Sequence, residues 1–322
     1  MYSNRISTAA RYDLLTADIQ KNEANYNRLT QQLSSGKKIT NITDDPIAAV
    51  NIVNTNRQLG QIDTFTKNTQ LAKEELDTLD DLMELAGTYL SQAWDKAAQA
   101  NNGTYATTSL QALKVEIDEI AKTMVDLANT EFNDNFIFGG ANTKLTPYEM
   151  TGDGKILYKG TPQDNPDYIR QTEVADGVFE VINTTGDKIF GWYNGDDDCS
   201  GVMGALKILS NSIQDLIDAK DAGDPVAETA AEDKMRSTMD MFAKSHNEIL
   251  TEQTKFGGVY NRMEMTESTL ETNNENLTSY LSNLQDVDIA SATTQWIQAQ
   301  YAYQASLKVA SASMNMSLLN YI

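Results

Sequence analysis

The chain has 322 residues, 40% of them hydrophobic and 22% charged, which is enough apolar content to bury a core and, as a soft prior, about two domains of chain. Its 46 acids against 25 bases leave a formal net charge of −21, a field that repels phosphate and anionic lipid and argues against nucleic acid and membrane surfaces as partners. A single cysteine, Cys199, excludes an intrachain disulfide, and a single histidine, His246, leaves a multi-ligand zinc site or a His-Glu-x-x-His protease helix without its residues.

Glycine and proline divide the chain into three. Eleven of the eighteen glycines lie between Gly139 and Gly204, with Pro147, Pro162 and Pro166, whereas 47–146 and 226–322 contain no proline. The pattern predicts a turn-rich centre between two helical arms. Met1 to Gln20 has no apolar run of the kind a secretory signal carries. No stretch approaches the roughly eighteen consecutive apolar residues of a membrane span.

In chain order, Tyr12, Ile19, Tyr26 and Leu33 recur every seven residues with Leu15 and Leu29 on the same face, predicting an amphipathic first helix that Gly36 stops. Asp44-Asp45-Pro46 starts the next, an aspartate capping free amides and proline taking the first helical position. In that helix Ile62, Thr69, Leu76, Met83, Leu90 and Ala97 form one row, and Phe65, Ala72, Leu79, Ala86 and Ala93 the other. Leu110, Ile117 and Met124 pair with Leu113, Ile120 and Leu127 in a third helix. These are heptad patterns that pack helix on helix. The centre reads as short strands at Ile156–Tyr158, Tyr168–Arg170, Val178–Ile182 and Ile189–Trp192, bounded by turn residues. Leu206, Leu209, Ile213 and Leu216 mark another helix.

The second arm carries Met235, Phe242, Ile249, Phe256, Met263, Leu270, Leu277 and Leu284 seven residues apart. The expected companion row lies four residues on, at Met239, His246, Gln253, Tyr260, Glu267, Asn274 and Leu281, and is only partly apolar. Gly257-Gly258 costs about 2 kcal/mol relative to two alanines, so one helix of about 75 Å or two shorter helices both remain open. Residues 289–322 carry one charge, Lys308, with Ile289, Trp296, Tyr303 and Ala310 in a heptad row. Leu307, Leu318 and Leu319 add to this apolar end. Such a helix is marginal alone in water and needs a partner, either the N-terminal helix of its own chain or that helix together with neighbouring copies.

Several smaller features point to bland roles. Asp196-Asp197-Asp198 lacks the spacing of a calcium loop and reads as a solvated turn. Gly152-Asp153-Gly154 reads as a hairpin turn, Cys199 as incidental, and His246 as a residue beside the heptad seam. Tyr148, Tyr158, Tyr168, Trp192 and Tyr193 are expected to fill a small β core; exposed and coplanar, they would instead suit a glycan.

The run Leu33-Ser34-Ser35-Gly36-Lys37-Lys38-Ile39, followed by Thr43-Asp44-Asp45-Pro46-Ile47-Ala48-Ala49, resembles the N-terminal signature of the flagellin family. Arg5-Ile6-Ser7-Thr8, proline at position 46, Phe136-Ile137-Phe138-Gly139-Gly140 and the ending Ser317-Leu318-Leu319-Asn320-Tyr321-Ile322 are similar to the branch of hook-associated proteins at the junction of hook and filament. The resemblance implies a structural subunit of the bacterial flagellum, not an enzyme and without cofactors or metals. It implies export without a cleaved signal to an extracellular site. The expected partners are further copies in a ring, the adjacent hook-associated protein, flagellin and an export chaperone. The alternatives are filament flagellin, or an adhesin displayed through the central domain.

The expected fold is mainly α: an elongated coiled-coil-like helical bundle from both arms with a small antiparallel β domain inserted centrally. Residues 1–43 with 286–322 would form a terminal coiled-coil assembly domain, 44–138 with 201–285 a helical rod domain, and 139–200 an outer β domain. The expected assembly interface is Tyr12, Leu15, Ile19, Tyr26, Leu29, Leu33, Ile289, Trp296, Tyr303, Leu307, Leu318 and Leu319.

Overall fold

The computed structural model describes residues 8–102 and 105–319. In chain order the elements are α1 (Thr8–Ser35), α2 (Pro46–Ala100), α3 (Thr107–Ala128), β1 (Glu131–Phe132), β2 (Asn135–Phe136), β3 (Tyr148–Met150), β4 (Ile156–Tyr158), β5 (Gln171–Ala175) and β6 (Val178–Val181). They continue with α4 (Gly186–Ile189), β7 (Trp192–Tyr193), β8 (Cys199–Ser200), α5 (Gly201–Ala222), α6 (Pro225–Gln285) and α7 (Ile289–Leu319). The fold is mainly helical, with small antiparallel sheets in its middle. Two compact units result, one of residues 1–62 and 272–322, the other of residues 63–271.

Local chemistry sets the helix ends. The Asp45 carboxylate accepts from the amides of Ile47 (3.1 Å) and Ala48 (3.0 Å), with Pro46 as the first residue of α2. The same device starts α6, where Asp224 accepts from Val226 and Ala227 ahead of Pro225. Asp288 starts α7 by accepting from Ala290 and Ser291. Each cap satisfies amides that the first turn leaves open, and each is worth about 1 kcal/mol.

In the larger unit α2, α3, α5 and α6 share one core. The buried positions of α2 alternate three and four residues apart: Thr69, Ala72, Leu76, Leu79, Met83, Ala86, Leu90, Ala93, Ala97 and Ala100. That is the pair of rows expected from sequence, and the alanines let neighbouring helices approach. All six predicted apolar residues of α3 and all four of α5 are buried. These two helices run antiparallel, with Ser210 donating to Asp118 at 2.7 Å and Lys220 reaching the Tyr105 carbonyl. Burial alone would raise the Asp118 carboxyl, but the hydrogen bonds from Lys114 and Ser210 outweigh it and hold the group below the usual range. Helix α6 runs antiparallel to α2: Lys73 meets Glu267 at 2.9 Å, and Gln253 meets Asp80 at 3.2 Å. Hydrogen bonds from Lys73 and Gln70 hold Glu267 below its ordinary value.

Two expectations for α6 change. Its second buried row lies three residues beyond the first, at Thr238, Ser245, Glu252 and Val259, not four. The expected row is peripheral, with His246 exposed and Met239, Gln253, Tyr260 and Glu267 half-buried. Polar side chains hid the true row, and the interior accepts Thr238 and Glu252 because they are partnered. Thr238 donates to the Met235 carbonyl at 2.7 Å, and the Glu252 carboxylate accepts from Lys188 at 2.5 Å and from Thr184 at 3.4 Å. Second, Gly257-Gly258 does not interrupt the helix, which is continuous from Pro225 to Gln285. Phe256, Val259 and Met263 on either side are buried, and their packing outweighs the glycine penalty.

The β region belongs to the larger unit. One sheet has the order β3-β4-β7-β8, all antiparallel, and β5 pairs with β6 as a separate hairpin. The strands at 156–158 and 178–181 fall where expected. Residues 166–168 instead form a 3₁₀ turn, because Pro166 fixes its own φ and the Asn165 side chain accepts from the Asp167 amide; the strand begins only at Gln171. Residues 186–189 form a helical turn, and the strand starts at Trp192 after Gly191. Gly191 has φ +71°, and its backbone lies so close to Ser200 that a Cβ would stand 2.0 Å from that carbonyl oxygen. The β5–β6 hairpin is tied to the helices at both edges. Arg262 of α6 grips Glu180 bidentately at 2.9 and 2.5 Å, Asn68 of α2 donates to the Glu173 carbonyl, and Arg170 pairs with Glu75.

Beyond the adjoining residues and the helix's own backbone, nothing lies within 4 Å of where a Cβ would stand on Gly257 or Gly258. Gly257→Ala and Gly258→Ala should therefore each stabilise the protein by about 0.5–1 kcal/mol, read as a higher urea midpoint with an unchanged slope.

Candidate functional site

The sequence places its most distinctive residues in the loop after α1, and the structure shows what that loop does. Gly36 has φ +71° and turns the chain out of α1. Lys37 then forms an antiparallel bridge with Asp286, the Lys38 amide donates to the Gln285 carbonyl at 2.7 Å, and the Val287 amide donates to the Gly36 carbonyl at 2.9 Å. Lys38 Nζ adds a bond to the Asn283 carbonyl, and Gln32 donates to the Lys38 carbonyl at 2.7 Å. The connection between α1 and α2 is thereby stapled to the connection between α6 and α7. Farther along, the Asp44 carboxylate accepts from the amides of Thr40 and Asn41, bonds that hold it below its ordinary pKa.

From this staple α1 and α7 run antiparallel as a pair. Trp296 Nε1 donates to Thr30 Oγ1 at 2.8 Å, and the Tyr26 ring stacks between Trp296 (centroids 5.8 Å apart) and Tyr303 (6.1 Å). Of the residues expected at the interface, Leu29 is buried, and Tyr12, Leu15, Ile19, Tyr26, Leu33, Trp296 and Tyr303 are half-buried. Ile289 and Leu307 lie outside the seam, exposed. Leu318 and Leu319 fall in the last turn of α7, where side chains lie outside the described residues, as do Arg5-Ile6-Ser7 and the final Asn320-Tyr321-Ile322.

The pattern missed Ala292 and Ala299, both buried in the seam. Their spacing of seven residues, flanking Trp296, was the available signal; small side chains there let the backbones approach. Exposed apolar side chains remain on the outer surface of the pair: Leu14 on α1, and Ile297, Tyr301 and Val309 on α7. Among the described residues no helix is long and apolar enough to cross a membrane. Chemically α7 offers a charge-poor surface with exposed apolar side chains, suited to packing against protein, beside the more polar α1.

Gly36 has open space where a Cβ would stand, so alanine there strains only the backbone. Gly36→Ala should cost about 1–2 kcal/mol and speed amide exchange in α1 and α7 while leaving α3 unchanged.

The bacterial flagellin N-terminal helical region matches residues 6–143 and the bacterial flagellin C-terminal helical region matches residues 239–322. The chain is 27% identical over 320 residues to flagellar hook-associated protein 3 of Escherichia coli, covering 98% of both chains. It is 24% identical to flagellin of Bacillus subtilis over 279 residues, covering 86% of this chain and 85% of that one. A crystal structure of flagellar hook-associated protein 3 from Legionella pneumophila superposes with a TM-score of 0.63 at 14% identity, over 72% of this chain and 98% of that one. The two matched regions hold the α1–α2 staple and the α6–α7 segment that closes it, and on this ground the chain belongs to the flagellin family.

Proposed function

We propose that this chain is the hook–filament junction subunit of a bacterial flagellum, a structural protein of the extracellular appendage and not an enzyme. The observation that carries the reading is its similarity to hook-associated protein 3 along 98% of both chains, where similarity to a filament flagellin covers 86% of this one. The molecule's chemistry supports it. The terminal pair buries few side chains fully and keeps apolar ones exposed, as suits a helix pair whose remaining partners are other subunits.

In this reading residues 1–43 and 286–322 form the assembly domain, 44–138 and 201–285 the rod, and 139–200 the outer domain. Copies pack into a ring through the terminal helices. The ring meets the adjacent hook-associated protein on one side and flagellin on the other, and an export chaperone covers α7 beforehand.

An antibody raised against residues 141–200 should label intact flagella in one narrow band between hook and filament under the electron microscope. Label along the whole filament would instead make the protein a flagellin. Leu33→Asp and Trp296→Asp should each prevent incorporation, because a carboxylate there enters a seam that becomes drier on assembly. The larger unit should keep its helicity in both variants, and normal assembly of both would overturn the role of the terminal helices.

A further inference from the structure

We infer that the β region carries a binding cleft for a neutral oligosaccharide. An open cleft of about 880 Å³ is lined by residues of β4, β7 and β8 of the β3-β4-β7-β8 sheet. This is within the range of roughly 300–1,000 Å³ that small-molecule sites occupy. Its floor is Leu157 of β4, Trp192 of β7 and Ser200 of β8; its walls are the 162–164 loop, α4 and Glu248 of α6.

The five aromatic residues of the centre do not form a coplanar exposed array. Tyr148 and Tyr193 are buried in the core, where Tyr148 donates to the Gly191 carbonyl. Trp192 is different. It is half-buried, lines the cleft, and its orientation is fixed by a hydrogen bond of 3.0 Å from Nε1 to Asp198. Asp198 is held in turn by the Asn194 side chain at 2.9 Å and by the turn's own backbone bond from the Asn194 amide to the Asp198 carbonyl. An indole locked in this way offers an apolar surface with little rotamer entropy left to lose.

The polar wall suits hydroxyl groups. Asp187 lines the wall, where it is fixed by accepting from the Gln163 amide at 3.0 Å. Lys188 is fixed by the buried Glu252 carboxylate. Carboxylates and amides placed beside an aromatic platform can bond the adjacent hydroxyls of a sugar while its C–H face rests on the ring. Charge narrows the class further: Asp164, Asp187, Asp198 and Glu248 disfavour a phosphate or an acidic sugar. An organic cation would be drawn to much of a surface carrying a net charge of −21, and what the cleft adds to that surface is the fixed indole.

The test uses the full chain, titrated with chitotriose, lactose and maltotriose, and with spermidine as a cationic control. Amide shifts and tryptophan fluorescence supply the readout. At least one saccharide should bind up to millimolar concentration, shift amides of residues 157–164 and 187–200, and bind equally at low and high salt. Trp192→Ala should weaken that binding at least about tenfold. Glu248→Ala, on the surface of a long helix, should weaken it without disturbing the fold and guards against a Trp192 variant that misfolds. No saccharide binding, binding of spermidine alone, or saccharide binding unaffected by both variants would overturn the proposal. None of these outcomes depends on where the subunit sits in the flagellum.

Discussion

The constraint on which the rest of the structure depends is the burial of apolar side chains repeating at three- and four-residue steps along α2 and α6. A single helix cannot cover such a stripe, so the chain must bring other helices against it. In the larger unit α2 and α6 run antiparallel, with α3 and α5 closing the same core. Each large side chain in those rows contributes roughly 1.5–3 kcal/mol of gross burial, most of it offset by the entropy of ordering the chain. Two of the polar groups in the α6 row are satisfied inside, Thr238 by the Met235 carbonyl and Glu252 by more distant partners. The Glu252 carboxylate is the strongest case, tolerated because Lys188 and Thr184 meet it inside.

The smaller unit is built on a different balance. Its seam is marked by stacked aromatic rings, Tyr26 between Trp296 and Tyr303, with the buried Ala292 and Ala299 beside them. Little is fully buried, and the register rests on the staple between residues 36–38 and 285–287. A backbone staple fixes geometry without needing a large core. It therefore suits a helix pair that leaves much of its apolar surface exposed.

What was legible in the sequence followed from period and punctuation. The rows of α2, α3 and α5 alternate cleanly, and Asp45-Pro46 and Gly36 mark helix ends through caps and a left-handed turn that few other residues supply. The companion row of α6 was not legible, because Thr238, Ser245 and Glu252 are polar, and the Lys188 and Thr184 that make Glu252 acceptable inside lie more than sixty residues away. The strand starts at Gln171 and Trp192 were shifted by Pro166 and Gly191, whose effect depends on neighbouring backbone. The staple left no pattern: its centre is main-chain bonding, and the parts it joins are far apart in sequence, Lys38 Nζ and Asn283 by 245 residues. The terminal seam was half legible. Trp296 and Tyr303 stand out by size, whereas the buried alanines between and beside them look like helix filler, and Ile289 and Leu307, apolar enough to be expected inside, face out.

The β region shows how an insert of short strands keeps a definite structure. Strands of two to five residues cannot hold a sheet alone. Their geometry is imposed from the helices: Arg262 grips β6, Asn68 reaches β5, and Glu252 fixes Lys188 beside the cleft. All three anchors sit on α2 or α6, so helix register is transmitted into the position of the strands. A slip of α6 by one residue would turn Arg262 and Glu252 by about 100° around the helix and release both ties at once. The heptad rows that close the bundle therefore also set the shape of the β region, while the loops between strands, bound mostly by their own turns, can change without disturbing the core.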